Sequence, residues 1–328
     1  MGGQMKLIAV STILLLLLGI FLARPPLIHT AKATQETPSA AQPADNVNAT
    51  MRNVDFRFAD KIVVHIATLD GKLVSAPGQI AVFDDKTSFH LDLDSASITV
   101  DTSNLSNDLN DYVFAAADSP LKKLTVATNG DQLVIKGLLA RKGDVQFETD
   151  GTIAATPEGQ IRLHTVTIKA LHLPVKGLMD LIGVDIDNMI STKKIQGVTV
   201  DKDDLLLDPD VIFPPPRIQG HLTSVRLGSG ALILQFGTPS PQNRPSPVAG
   251  ACAGSNFLFF KGGAVRFGKL TMNDTDLTLV DSAPSDPFDF SIDHYKDQLT
   301  AGYAKVTRQG GLCVHMPDFA KLTAAPKS

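Results

Sequence analysis

The alternation of apolar and polar residues along most of this chain is its strongest constraint. Phe56 and Phe58 alternate with charges, and Ile62, Val64 and Ile66 repeat the pattern. Phe89, Leu91, Leu93, Ile98 and Val100 repeat it again, with Asp and Ser between them. Val126, Leu133, Val134, Phe147, Ile153, Ile161, Leu163, Val166 and Ile168 carry it onward, and it returns from Val198 to Phe236. A period of two puts successive side chains on opposite faces, so these segments predict strands with one oily face. Turn signals separate them: "TNGDQ", "PEGQ", the glycines at Gly228 and Gly230, and the prolines Pro214 to Pro216. A strand–helix–strand rhythm is missing, which disfavours a doubly wound parallel sheet.

Two segments break the alternation. In "SNLSNDLNDYVFAAAD", Ser103 is a helix cap by type, and Leu105, Leu109, Tyr112, Val113 and Ala116 fall on one stripe. In "PVKGLMDLIGVDIDNMI", Pro174 suits a first helical turn, and Val175, Leu178, Met179, Ile182, Ile186, Met189 and Ile190 recur at three and four. Each stripe needs an oily surface, and the inner face of the sheet is the nearest. The expected fold is therefore α+β and β-rich, a long curved antiparallel sheet wrapped around two amphipathic helices. Between helix and sheet lies either a packed core or a tubular apolar cavity, and pattern alone leaves both open.

The amino-terminal run "LIAVSTILLLLLGIFLA", residues 7–23, lies between Lys6 and Arg24. At 1.5 Å per residue it is roughly 25 Å long, near the lower limit for crossing a bilayer. Residues 1–33 are expected to form a signal anchor; a signal peptide cleaved after the small residues of Ala31 to Ala33 is the other reading. Either places the rest of the chain on the periplasmic side of the cell envelope. Residues 34–50 have a tether's composition, 51–237 form the expected β-rich domain, 238–255 a Pro/Gly/Ser linker, and 256–328 a carboxy-terminal β extension. The chain has 16 Phe against 3 Tyr and no Trp, which suits a Phe-rich β core.

Reactive chemistry is hard to find. A net charge of −4 without a basic cluster gives no support to a nucleic-acid partner. No nucleophile elbow, phosphate loop, dinucleotide fingerprint or zinc signature occurs, so no cofactor, metal ligand or catalytic residue is assigned. A hydrolase assembled in space would first draw on His164, His172 and His221. Cys252 and Cys313 are too few for a disulfide scaffold. In an exported protein they are candidates to pair; buried free thiols are the alternative. Lys176, Lys193 and Lys194 near the second helix read as surface solubility.

The order of pieces from about Phe89 to Phe236 resembles the LmeA-like phospholipid-binding proteins, relatives in form of the tubular lipid-binding domains. The resemblance is carried by "ASITVDTSNLSNDLN", "LKKLTVATNGDQLVIKGLL", "DGTIAATPEGQIRLHTVTIKAL", "PVKGLMDLI", "DDLLLDP" and "IQGHLTSVRLGSGALILQF". It implies a non-enzymatic envelope protein that holds or transfers phospholipid-like molecules, with the membrane as partner and acyl chains between helices and sheet. The residues expected to line that space are Leu105, Leu109 and Val113, with Leu178, Ile182, Ile186 and Ile190. After Gly237, "KGGAVRFGKLTMNDTDLTLVD" is more weakly similar to AsmA-like envelope proteins. An envelope scaffold with a fully packed core is the alternative.

Overall fold

The computed structural model describes residues 46–140, 144–170, 196–201, 204–239 and 252–324. The run at 7–23 and the expected helix at 174–190, with Leu178, Ile182, Ile186 and Ile190, lie outside the described residues. Among the described residues no helix is long and apolar enough to cross a membrane.

In chain order the strands begin with β1 (Val47–Ala59), β2 (Ile62–Ser75), β3 (Ala81–Val82) and β4 (Phe89–Asp101). A short helix, α1 (Thr102–Asp108), runs into a π-helical turn, Leu109–Val113. Next come β5 (Leu121–Asn129), β6 (Gln132–Leu139), β7 (Val145–Ala155), β8 (Ile161–Ala170), β9 (Val198–Asp201) and β10 (Asp204–Leu207). Helix α2 (Pro209–Ile212) leads to β11 (Arg217–Gln219), β12 (Leu222–Gly228) and β13 (Ala231–Gly237). The last part holds β14 (Phe257–Lys261), β15 (Val265–Phe267), β16 (Leu270–Met272), β17 (Asp276–Asp281) and β18 (Phe288–Ser291). It ends with α3 (Tyr295–Ala301), β19 (Tyr303–Val306), β20 (Leu312–Met316) and α4 (Phe319–Ala324).

The strands form an 11-stranded sheet, a 6-stranded sheet and a small 3-stranded sheet, so the expected single long sheet is corrected to three. The large sheet runs β12-β13-β4-β2-β1-β14-β17-β20-β19, with β11 beside β4 and β18 beside β1. The second runs β5-β6-β7-β8-β10-β9, and the third β16-β15-β3. Most pairs are antiparallel, as the alternation predicts, but β1·β18, β4·β11, β17·β20 and β3·β15 are parallel. The parallel pairs arise where strands distant in sequence join the sheet, a placement no local turn dictates.

Hairpins fall where the turn residues stand. Asn129 pairs with Gln132 across Gly130, whose φ of +62° is open to glycine at little cost. Two expected boundaries move. Strand β1 begins at Val47, inside the stretch read as tether, because Val47, Ala49 and Met51 are buried against the sheet. The strands after residue 256 do not stand apart: β14 pairs antiparallel with β1, from Asn48↔Lys261 to Arg52↔Phe257. Arg57 on β1 donates to both carboxylate oxygens of Asp289 on β18, at 3.0 and 3.1 Å, which fixes that junction. Cys252 and Cys313 form a disulfide with Cα atoms 5.6 Å apart, tying the start of this part to β20.

The large sheet buries rings. Phe58, Phe260, Phe288 and Phe290 are fully buried, and Phe83 meets Phe260 and Phe267 edge-on at 5.4 and 5.2 Å. Such contacts add about 0.5–1.5 kcal/mol per pair beyond the area they bury.

Candidate functional site

The second sheet buries something different. Its inward residues are Leu124 on β5, Leu133 and Ile135 on β6, Phe147 and Ile153 on β7, and Ile161 and Leu163 on β8; those of β6 to β8 keep the alternation, whereas an irregularity between Lys122 and Thr125 sets Leu124 three residues after Leu121. Facing them are Val100 on β4, Leu232 and Leu234 on β13, and Phe213 after α2. Together they surround a hollow of about 90 Å³. Among the described residues that line it, Thr149 and Thr165 alone have polar side chains. Ile135, Ile153, Leu205 and Leu207 are only partly buried although they face inward. One further position keeps the interior open to shape: a Cβ on Gly137 would lie 2.7 Å from Leu124 Cδ2 and 3.1 Å from the Phe147 ring.

Helix α1 closes one side. Leu105 and Leu109 line the hollow; Val113 is buried in the same core but does not line it. The helix is short because its last residues widen into the π turn, where the Phe114 N–H donates to Leu109 O at 2.8 Å. Its amino cap is Asp101, with no side-chain bond, rather than Ser103.

The polar side of α1 is matched to strand edges. Asn110 donates to Leu124 O at 2.7 Å and accepts from Leu124 N at 2.8 Å. The Ser106 hydroxyl accepts from Val126 N at 2.9 Å. Both partners sit on β5, the terminal strand of its sheet, whose open edge would otherwise leave these groups unpaired. On the other flank Asn104 accepts from Val63 N at 3.2 Å and Asn107 donates to Lys61 O at 2.9 Å, both at the β1–β2 end. The "SNLSNDLN" text thus presents Leu to the hollow and Asn or Ser to backbone edges.

One residue of the helix does neither. Asp108 lies between Leu105 and Leu109 in sequence and is wholly buried, and neither carboxyl oxygen has a hydrogen-bond partner. No other described residue has a buried side-chain polar atom left unpaired. Burial pushes its pKa up to about 8, so the carboxyl holds its proton at neutral pH. Its signal in the sequence is an acid three residues after Leu105 on the oily stripe.

Of the residues named for hydrolytic chemistry, the two that are described share no hydrogen bond or ion pair. His164 Nδ1 lies 2.6 Å from Asp204 on the exposed face of the second sheet, and His221 is an exposed residue before β12. His172 lies outside the described residues, as do Lys176, Lys193 and Lys194. Among the described residues no group of His, Cys, Asp and Glu could hold a metal ion. Comparison with family models, curated proteins and solved structures gives no match to this chain.

Proposed function

We propose that this chain is an envelope protein that binds phospholipid-like molecules, one acyl tail entering between the six-stranded sheet and the α1–β4–β13 wall. The carrying observation is an interior surface from many separate elements whose described residues are aliphatic or aromatic but for Thr149 and Thr165, around space that is not filled. Such a surface recognises shape and dryness and supplies no group for bond-making. Its size sets a condition. The hollow, about 90 Å³, is smaller than the roughly 150 Å³ dry cavity that admits benzene. It receives the end of a chain; a full tail requires the wall to yield. Burial gains about 0.8 kcal/mol per methylene, so about ten methylenes are needed for micromolar affinity.

The same small volume favours a second reading, a scaffold module whose interior is closed to ligands. One experiment separates them. Full-length protein extracted under mild conditions is examined by native mass spectrometry for bound lipid, alongside Ile135→Phe. Lipid binding predicts about one lipid per wild-type chain and loss in the variant. Wild-type protein that is folded, lipid-free and unable to take up added phospholipid contradicts it.

A further inference from the structure

Asp108 is costly where it stands. A buried carboxyl without a partner forfeits the hydrogen bonds water would give it even when neutral, and loses far more when charged. It occupies the last position of α1, directly before the π turn, a helical irregularity that often accompanies functional sites. Its near neighbours on the stripe, Leu105 and Leu109, both form the wall of the hollow. We propose that Asp108 is a proton latch: its neutral carboxyl lets α1 lie closed over the hollow, and loss of the proton drives that turn outward and opens the wall.

The surroundings isolate the group. Helix α1 packs against β5, β2, β4 and the π turn. On these elements and the adjoining turns Lys122, Lys123 and Asp101 are exposed, His65 Nδ1 lies 2.8 Å from Asp55, and Asp111 lies 4.0 Å from Lys61 Nζ. Tyr112 is partly buried in the π turn and has no bond to the carboxyl. Burial is the single cause of the raised pKa, with no charge contribution from any of these groups. An open turn would release the Asp108 proton near pH 4, the closed one near pH 8. Between those values opening releases a proton, so each pH unit favours the open form about tenfold; below and above the window the dependence vanishes.

The latch rests on the lipid-binding reading only for what passes through the opened wall. The test uses full-length wild type, Asp108→Asn and Asp108→Leu, the second as a shape-filling control. Hydrogen exchange of residues 102–113, corrected for intrinsic chemistry, is followed from pH 5 to 9, with uptake of a fluorescent phosphatidylcholine of constant charge. Expected is a wild-type opening constant that climbs about tenfold per pH unit and levels off near pH 8, with both variants flat and uptake tracking opening. A flat wild-type profile, or variants that climb like wild type, overturns the latch. Wild-type opening with the expected pH profile but no probe uptake at any pH leaves the latch standing and removes the lipid-binding reading.

Discussion

The large sheet fills its interior with rings, and the six-stranded sheet lines its interior with branched aliphatic chains. Around β1, β14 and β18 buried Phe side chains meet one another at centroid distances of 4.8, 5.7 and 5.4 Å. Around β5 to β8 a single Phe, Phe147, lines the hollow from that sheet, and several inward chains stay partly exposed. Bulky flat groups interlock; a wall of Leu and Ile from separate elements leaves a space wherever one element stands off. The two regions differ in anchorage as well. The ring-filled part carries the disulfide and the Arg57–Asp289 pair, whereas the α1 wall is held by neutral hydrogen bonds to strand edges. The account makes the first region a rigid frame and the second a wall that moves.

The comparison can be broken by mutation. Phe290→Ala, in the ring-filled frame, is expected to cost about 3–5 kcal/mol in urea unfolding, since that site cannot collapse; a cost under 1 kcal/mol would show a frame no tighter than the wall. Reducing the Cys252–Cys313 bond, which closes a loop of 61 residues, is expected to cost about 2–4 kcal/mol by the same measurement. In the wall, Asp108→Asn is expected to stabilise by about 3 kcal/mol at pH 6 and by about 1 kcal/mol at pH 4.5. The sign follows from a pKa raised to about 8: wild-type stability is fully present below pH 4 and falls until the folded carboxyl ionises. Thermal unfolding at the two pH values checks it. The smallest effect belongs to Ile135→Phe, expected to shift stability by less than about 1 kcal/mol because the added ring enters existing space. A packed interior would instead lose about 1–3 kcal/mol.

Much of the local architecture is legible in the residues. The alternation marks the inward chains of β6 to β8, Gly130 marks the β5–β6 turn, and Gly230 marks the β12–β13 turn. Helical spacing puts Leu105 and Leu109 on one inward stripe; that the stripe borders a hollow does not follow from spacing. What was not legible is non-local. Nothing near Phe257 says that it will pair with Arg52, because that pairing joins segments some two hundred residues apart and answers to the whole sheet. The division into separate sheets is hidden for the same reason: alternation gives each strand a buried face but not its neighbour. The end of the α-helix is hidden because the Leu stripe continues into the π turn unchanged, while the backbone does not. The burial of Asp108 is hidden in the sequence because an acid on an oily stripe has the pattern of an edge position.

The central claim is that an acyl tail occupies the space enclosed by β5 to β8 and α1. A phospholipid carrying a photoreactive group near the end of one tail, bound to the full-length protein and irradiated, tests it most directly. The account predicts crosslinks concentrated on peptides containing Leu124, Leu133, Ile135, Phe147 and Leu163, and lost in Ile135→Phe. Labelling spread over the exposed surface, or absent while the protein remains folded, would contradict it.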